Sequence, residues 1–156
     1  MTTAYDVPSE MLIKRSSEKL KTDPNLTPPK WAAFVKTGPS REKAPSQNDW
    51  WHTRAAAVLR KIYFYGPIGT TRLSADFGGK KDRGSAPHHA YMGSRNITRT
   101  IIHQLQKAGY VTSDKNKGRV VTPKGRSLLD NIAHEVLKEQ ATARPELQKY
   151  LSKRMG

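Results

Sequence analysis

Residues 94–123, SRNITRTIIHQLQKAGYVTSDKNKGRVVTP, decide how this chain folds. Ser94 is a helix-capping residue type, and after it Ile97, Ile101, Leu105 and Ala108 recur at helical spacing and stack on one side, while Arg95, Arg99 and Gln106 fall elsewhere. Gly109 is a stop signal. The segments YVTS and RVVT alternate or are β-branched and flank DKNKG at 114–118, which predicts a two-stranded hairpin with a basic tip. Thr122 and Pro123 restart a helix as cap and first helical residue. Helix, hairpin, helix is the second half of a winged helix-turn-helix, with 94–108 in the place of the recognition helix and the hairpin as the wing.

Upstream, Asp49 is placed to cap a strong helix, DWWHTRAAAVLRKIYFYG, whose Trp51, Ala55, Val58, Leu59, Ile62 and Tyr63 form one apolar face and whose end is marked by Gly66 and Pro67. A shorter helix is expected from Thr70 to Phe77. Between it and Ser94 lies GGKKDRGSAPHHAYMG, residues 78–93, which reads as a basic, irregular loop. That connector is far longer than the roughly 3–4 residues of an ordinary DNA-binding helix-turn-helix. Before the central helix, Pro8 opens a short amphipathic helix reaching Lys21 on Met11, Leu12, Ser16 and Leu20. The prolines of TDPNLTPPK then force an extended connector, WAAFVKTG is a brief apolar turn, and residues 38–48 read as an exposed loop. Downstream, Leu128, Leu129, Ile132, Val136 and Leu137 carry the helix begun at Pro123 to about Ala141, and a short tail helix follows Pro145. The fold class expected is mainly α: a winged helix-turn-helix core with a short β-hairpin wing and additional N- and C-terminal helices. One domain over 1–156 is expected, with a core at 49–141, an N-terminal helix and extended arm at 1–48 packed on it, and a tail helix at 142–156.

Charge points to the partner. Lys and Arg number 28 against 13 Asp and Glu, a formal +15, and residues 66–126 alone hold 12 basic and 3 acidic side chains. A short basic run is usually a solvated face, but an excess this large and this localised favours a polyanion. The absence of Cys removes disulfides, thiolate zinc sites and cysteine nucleophiles, and is compatible with a reducing compartment. The N-terminal MTTAYDVPSE has no secretory pattern and nothing reaches the length of a membrane span, so a cytoplasmic protein is expected.

Several separated blocks then carry a family resemblance. DVP at 6–8, PPKWAAFVKTG at 28–38, DWWHTRAAAVLRKIY at 49–63, YGPIG at 65–69, FGGKKDRGSAP at 77–87 and KGRVVTPKGRSLLD at 117–130 stand in order. The most specific piece is Pro87 followed by Ser94, Ile97, Arg99, Ile101, Ile102, Leu105 and Gln106. From about Asp6 to Ala133 the chain resembles the archaeal and eukaryotic family of small-subunit ribosomal protein nineteen, eukaryotic type, and its archaeal members most; His103 departs from the family's Gln. The resemblance implies a winged-helix core with extra helices, a place in the head of the small subunit, contact with its ribosomal RNA and with neighbouring ribosomal proteins, and a role in subunit maturation and translation.

The residues expected to touch RNA are Lys36, Arg54, Arg60, Lys61, Lys80, Lys81, Arg83, Arg95, Arg99, Lys115, Lys117 and Arg119. Arg54 and Lys61 lie seven apart on one side of the central helix. Arg95 and Arg99, spaced i, i+4, can offer two guanidinium forks to one phosphate or groove edge. Lys80, Lys81 and Arg83 sit among glycines that permit close backbone approach. Lys115, Lys117 and Arg119 belong to the wing. A-form RNA has a major groove too deep and narrow for helix docking, so recognition by shape and backbone is expected. Trp51 is expected in the core, with Trp50 left open between core and base stacking. His88 and His89 lack a zinc spacing, Ser85 stands where a phosphate-binding loop would need Lys, and no catalytic constellation appears, so neither metal, cofactor, small-molecule substrate nor enzymatic activity is expected. The competing reading is a winged-helix DNA-binding transcription regulator, which the long basic connector and the lack of a dimerising coil disfavour.

Overall fold

The computed structural model describes residues 2–151. Helix α1, Ser9–Lys21, follows Pro8 and buries Leu12, Ser16, Ser17 and Leu20. The proline-rich arm after it is extended around two 3-10 turns, Pro24–Leu26 and Lys30–Ala33. Helices α2, Trp50–Tyr65, and α3, Thr70–Asp76, come next. Strands β1, Gly79–Lys81, and β2, His89–Tyr91, precede α4, Arg95–Lys107. Strands β3, Val111–Asp114, and β4, Gly118–Val121, form the wing. Helix α5, Pro123–Ala143, a 3-10 turn and the short α6, Gln148–Leu151, end the described chain. The rest of the expected tail helix, 152–156, lies outside the described residues.

The apolar stripes meet as their spacing requires. Trp51, Ala55, Val58, Leu59 and Ile62 of α2 are buried against Ile97, Ile101, Ile102 and Leu105 of α4, and Leu129, Ile132, Ala133, Val136 and Leu137 of α5 join the same cluster. Helix α1 packs on α2 and α5, and α3 on α4. At the N-terminus a single carboxylate oxygen of Asp130 accepts from the Ala4 amide at 3.2 Å and from the Tyr63 hydroxyl at 2.8 Å, tying the first residues to α2 and α5. Loss of water around it, then that hydrogen bond to a carboxylate, pushes the Tyr63 phenol up to about 12. Among the described residues no helix is long and apolar enough to cross a membrane.

Side-chain caps start the two helices that flank the wing. The Ser94 hydroxyl accepts from the Ile97 amide, and the Thr122 hydroxyl accepts from the Gly125 amide at 3.2 Å while donating to the Gly109 carbonyl at 2.7 Å. Asp49 departs from expectation: its side chain does not cap α2 and instead takes a 2.6 Å contact from the Lys21 ammonium. Its φ of −101° and ψ of 18° lie outside the extended geometry that aims an N-cap carboxylate at the following amides.

Two hairpins frame α4. In the wing Val111 pairs with Val121, Thr112 with Val120, Ser113 with Arg119 and Asp114 with Gly118. Ile68, in the turn between α2 and α3, adds a third backbone partner through bonds of 2.9 and 3.2 Å with Arg119. Gly118, at φ +125°, permits this approach, because a β-carbon there would sit 2.7 Å from the Ile68 backbone. The second hairpin corrects the expectation of an irregular loop at 78–93. Gly79 pairs with Tyr91, Lys80 with Ala90 and Lys81 with His89. Its glycine- and lysine-rich strands carry no apolar alternation, so cross-strand backbone bonds hold it and periodicity does not reveal it.

The junction of wing and α5 is tight. A β-carbon on Gly125 would collide with the Tyr110 carbonyl oxygen and stand 2.9 Å from a Val121 methyl. Gly125→Ala is therefore expected to lower stability by about 1–3 kcal/mol, the usual cost of overpacking, although alanine is the better helix former. A denaturant midpoint equal to or above that of the parent would show that the junction can yield.

Candidate nucleic-acid interface

Helix α2 carries its three outer cations in three different settings. The Arg54 guanidinium lies 4.4 Å over the Phe77 ring. Desolvation by burial, and then the charge of Arg41, pull it below the ordinary arginine value. The depression around it is lined by Arg41, Lys43, Gln47, Trp50, Thr53, Phe77 and other residues, and no carboxylate is among them. Arg60 stacks 4.2 Å over Phe64, and its Nε is buried without a hydrogen-bond partner among the described residues. Lys61 is balanced instead, 3.3 Å from the Asp76 carboxylate and 5.1 Å from the Tyr65 ring.

The arm brings further cations to the same side. The Thr37 carbonyl accepts the Ser94 amide at 2.8 Å, which pins the arm across the start of α4. The chain then runs beside the β1–β2 hairpin, where Ser40 Oγ would be 3.3 Å from a β-carbon on Gly79. Lys36, Arg41, Lys43 and Lys81 line a second depression together with Ser40, Glu42 and Asp82. Arg41 and Lys43 border both depressions, so a basic strip runs from Lys36 and Lys81 to Arg54.

Three of the residues expected from sequence, Lys36, Arg54 and Lys81, thus gather around two that sequence reasoning left inside an exposed loop, Arg41 and Lys43. Two cations in PSREK were the available signal, but nothing local says that this loop folds against the hairpin. Elsewhere on the hairpin, Lys80 and Arg83 are exposed. Arg83 reaches the Pro87 carbonyl at 3.4 Å, and Asp82 accepts the Gly84 amide at 2.9 Å with the His88 ring 3.6 Å away. On α4, Arg95 and Arg99 are exposed, one turn apart, and neither has an ion-pair partner among the described residues. On the wing, Lys115 and Lys117 are exposed at the tip, next to Asn116 at φ +72°. Arg119 is half-buried, its Nε without a hydrogen-bond partner among the described residues.

The aromatic residues divide as well. Trp51 is 1% exposed and belongs to the core. Trp31 and Trp50 meet it edge-on at 5.5 and 5.3 Å, so Trp50 is partly committed to packing. The acidic residues lie largely elsewhere. Arg15 pairs with Glu139, Lys19 with Glu135 at 2.7 Å and Lys21 with Asp49 at 2.6 Å, which neutralises the face made by α1, α5 and the start of α2.

Comparison with known proteins fits this geometry. A family model described as ribosomal protein S19e matches residues 3–139. The chain is 48% identical over 151 residues to small ribosomal subunit protein eS19 of Thermoplasma acidophilum, covering 97% of this chain and 100% of that one. It is 44% identical over 153 residues to the protein of the same name from Aeropyrum pernix, again covering 97% and 100%. With small ribosomal subunit protein eS19A of Schizosaccharomyces pombe it shares 36% over 136 residues, 87% of this chain and 94% of that one. Matches of that length and identity run through the whole fold and not one motif, and the chain belongs to the ribosomal protein S19e family.

Proposed function

We propose that this chain is a structural, non-enzymatic constituent of the small ribosomal subunit in the cytoplasm, and that it grips small-subunit ribosomal RNA through the backbone. The observation that carries the RNA contact is the Arg54 depression: a half-buried guanidinium beside two further cations, Arg41 and Lys43, with no carboxylate in the lining. Burying a charge next to like charges is costly unless an anion completes the site, and a phosphate supplies both the charge and the acceptors for a guanidinium fork. Lys36 and Lys81 extend that site along the arm and hairpin. Lys80 and Arg83, Arg95 and Arg99, and the wing residues Lys115, Lys117 and Arg119 would meet neighbouring backbone segments. Arg60 and Lys61 flank the strip on α2, Lys61 after release from Asp76. The family and the names of its members support a place in the small subunit; a position in the head beside other ribosomal proteins, and a contribution to subunit maturation and translation, complete the reading as what the family resemblance implies.

The DNA-regulator reading fits less well. A recognition helix offers its N-terminal residues to base edges in the major groove. Here a hairpin at 79–91 takes the place of the short turn, and the arm is bonded through Thr37 to Ser94, so two further elements stand beside the exposed Arg95 and Asn96 at the start of α4.

Arg54→Met keeps the unbranched stem against Phe77 and removes the charge facing Arg41. Free protein carrying it is expected to melt at the parent temperature or above, while its dissociation constant for small subunits depleted of this protein rises about tenfold, the lower range for removing a charge-assisted hydrogen bond. A variant that melts lower and binds normally would make Arg54 a purely structural residue.

Arg95→Ala combined with Arg99→Ala is expected to leave the circular dichroism spectrum unchanged. It should also flatten the dependence of log affinity on log salt by about one unit for each phosphate that the two arginines neutralise. Unchanged affinity and salt slope would remove both side chains from the interface.

A further inference from the structure

Phe34 is 86% exposed, the most solvent-open large apolar side chain among the described residues. The other open aromatics, Tyr5, Tyr65, Tyr91 and Tyr150, each carry a hydroxyl that water can satisfy, whereas Phe34 offers water only a ring. Its backbone is not loose. The Phe34 amide donates to the Trp31 carbonyl at 3.1 Å and closes the 3-10 turn Lys30–Ala33. Ala32 is buried, and Trp31 and Val35 on either side of Phe34 pack against the core. With Trp31 and Val35 committed inward, the ring at 34 stands outward on an ordered backbone, and only its side-chain rotamers are left to order on contact.

The surroundings say what the ring meets. Lys30 and Lys36 flank it in sequence and both are exposed or half-exposed, and no Asp or Glu occurs between Asp23 and Glu42. Lys36 also lines the basic depression with Arg41, Lys43 and Lys81, so the ring stands two residues along the chain from the proposed phosphate-gripping strip. An aromatic platform between cations is the arrangement that takes an unpaired nucleobase, stacking on its face while the ammonium groups hold the adjoining phosphates. A purely apolar pocket on a protein partner would leave the two ammonium groups without an anion, whereas a nucleotide supplies its phosphates beside the base.

We propose that Phe34 is a stacking site for one unpaired base of the small-subunit RNA, held by Lys30 and Lys36 on its flanking phosphates; this rests on the RNA-binding reading above. Small subunits depleted of this protein are rebound with the parent, Phe34→Ala, Phe34→Leu and Phe34→Trp. Stacking requires a π-face, so Leu should bind as weakly as Ala, about tenfold below the parent by the usual contribution of one stacked base, and Trp should bind at least as well as the parent. Short-wave ultraviolet light should join the peptide containing Phe34 to a nucleotide in rebound particles. Leu binding like the parent with only Ala weakened would mark an apolar protein contact, and equal binding by all four would mark no contact; either overturns the proposal. The Arg95→Ala, Arg99→Ala protein in the same assay separates the two claims, because its weakened binding beside an indifferent Phe34 series leaves the RNA reading standing and removes the stacking site alone.

Discussion

The side-chain amide of Gln104 joins three segments that share no local sequence relationship. Its oxygen accepts the Trp51 indole N–H at 2.8 Å, and its nitrogen donates to the Thr27 carbonyl at 2.7 Å. The amide has only one workable orientation, since an indole nitrogen can only donate and a peptide carbonyl can only accept. Helix α4, helix α2 and the arm are thereby fixed to one another beside the most deeply packed ring of the core. The arm is held further along by Leu26 and Ala32, which are buried, by Trp31 and Val35, which pack on the same core, and by the Thr37–Ser94 bond, and Lys36, Arg41 and Lys43 follow from there.

Charge is sorted by a second constraint. Glu135 and Glu139 of α5, together with Asp49, are drawn into pairs with α1, leaving the arm, the β1–β2 hairpin, α4 and the wing with most of the unbalanced positive charge. Exposed pairs of this kind contribute little to stability. What they accomplish is segregation: one face is close to neutral, and the other keeps a field that only a polyanion would offset. Arg54 is half-buried beside Arg41 with no carboxylate in the lining of its depression, so its charge works against folding there, and the proposed phosphate would offset that cost.

Much of the fold was legible because it is written in local chemistry. Ser94 and Thr122 announce caps that the structure uses, and Ile97, Ile101 and Leu105 announce the buried side of α4. The wing could be read from β-branched residues around DKNKG. What escaped notice depends on partners distant in sequence. Asp49 has the identity of a cap, but Lys21, twenty-eight positions earlier, takes its carboxylate. The strands at Gly79–Lys81 and His89–Tyr91 are too polar to show a period and exist because each supplies the other's backbone partners. Arg41 and Lys43 do lie in an exposed loop, as their surroundings announce, but the Thr37–Ser94 bond that turns this loop toward the hairpin leaves no mark in the residues themselves.

The same departures explain how a winged-helix frame can serve a ribosome. In a groove-reading protein the turn before the recognition helix is short and the helix start is clear, so that side chains reach base edges. In this chain a hairpin replaces the turn, and the arm is bonded to Ser94, the residue before the helix. Arg95, Asn96 and Arg99 on the outward side of α4 stay exposed, with the arm and the hairpin beside them. A surface made of a helix flank, two basic hairpins and an arm is broad and shallow. That shape suits the phosphate ridges of folded RNA, whose deep groove excludes a helix, better than it suits the wide major groove of B-form DNA. The insertions that spoil the DNA-binding motif are, on this reading, the parts that build the RNA-binding one.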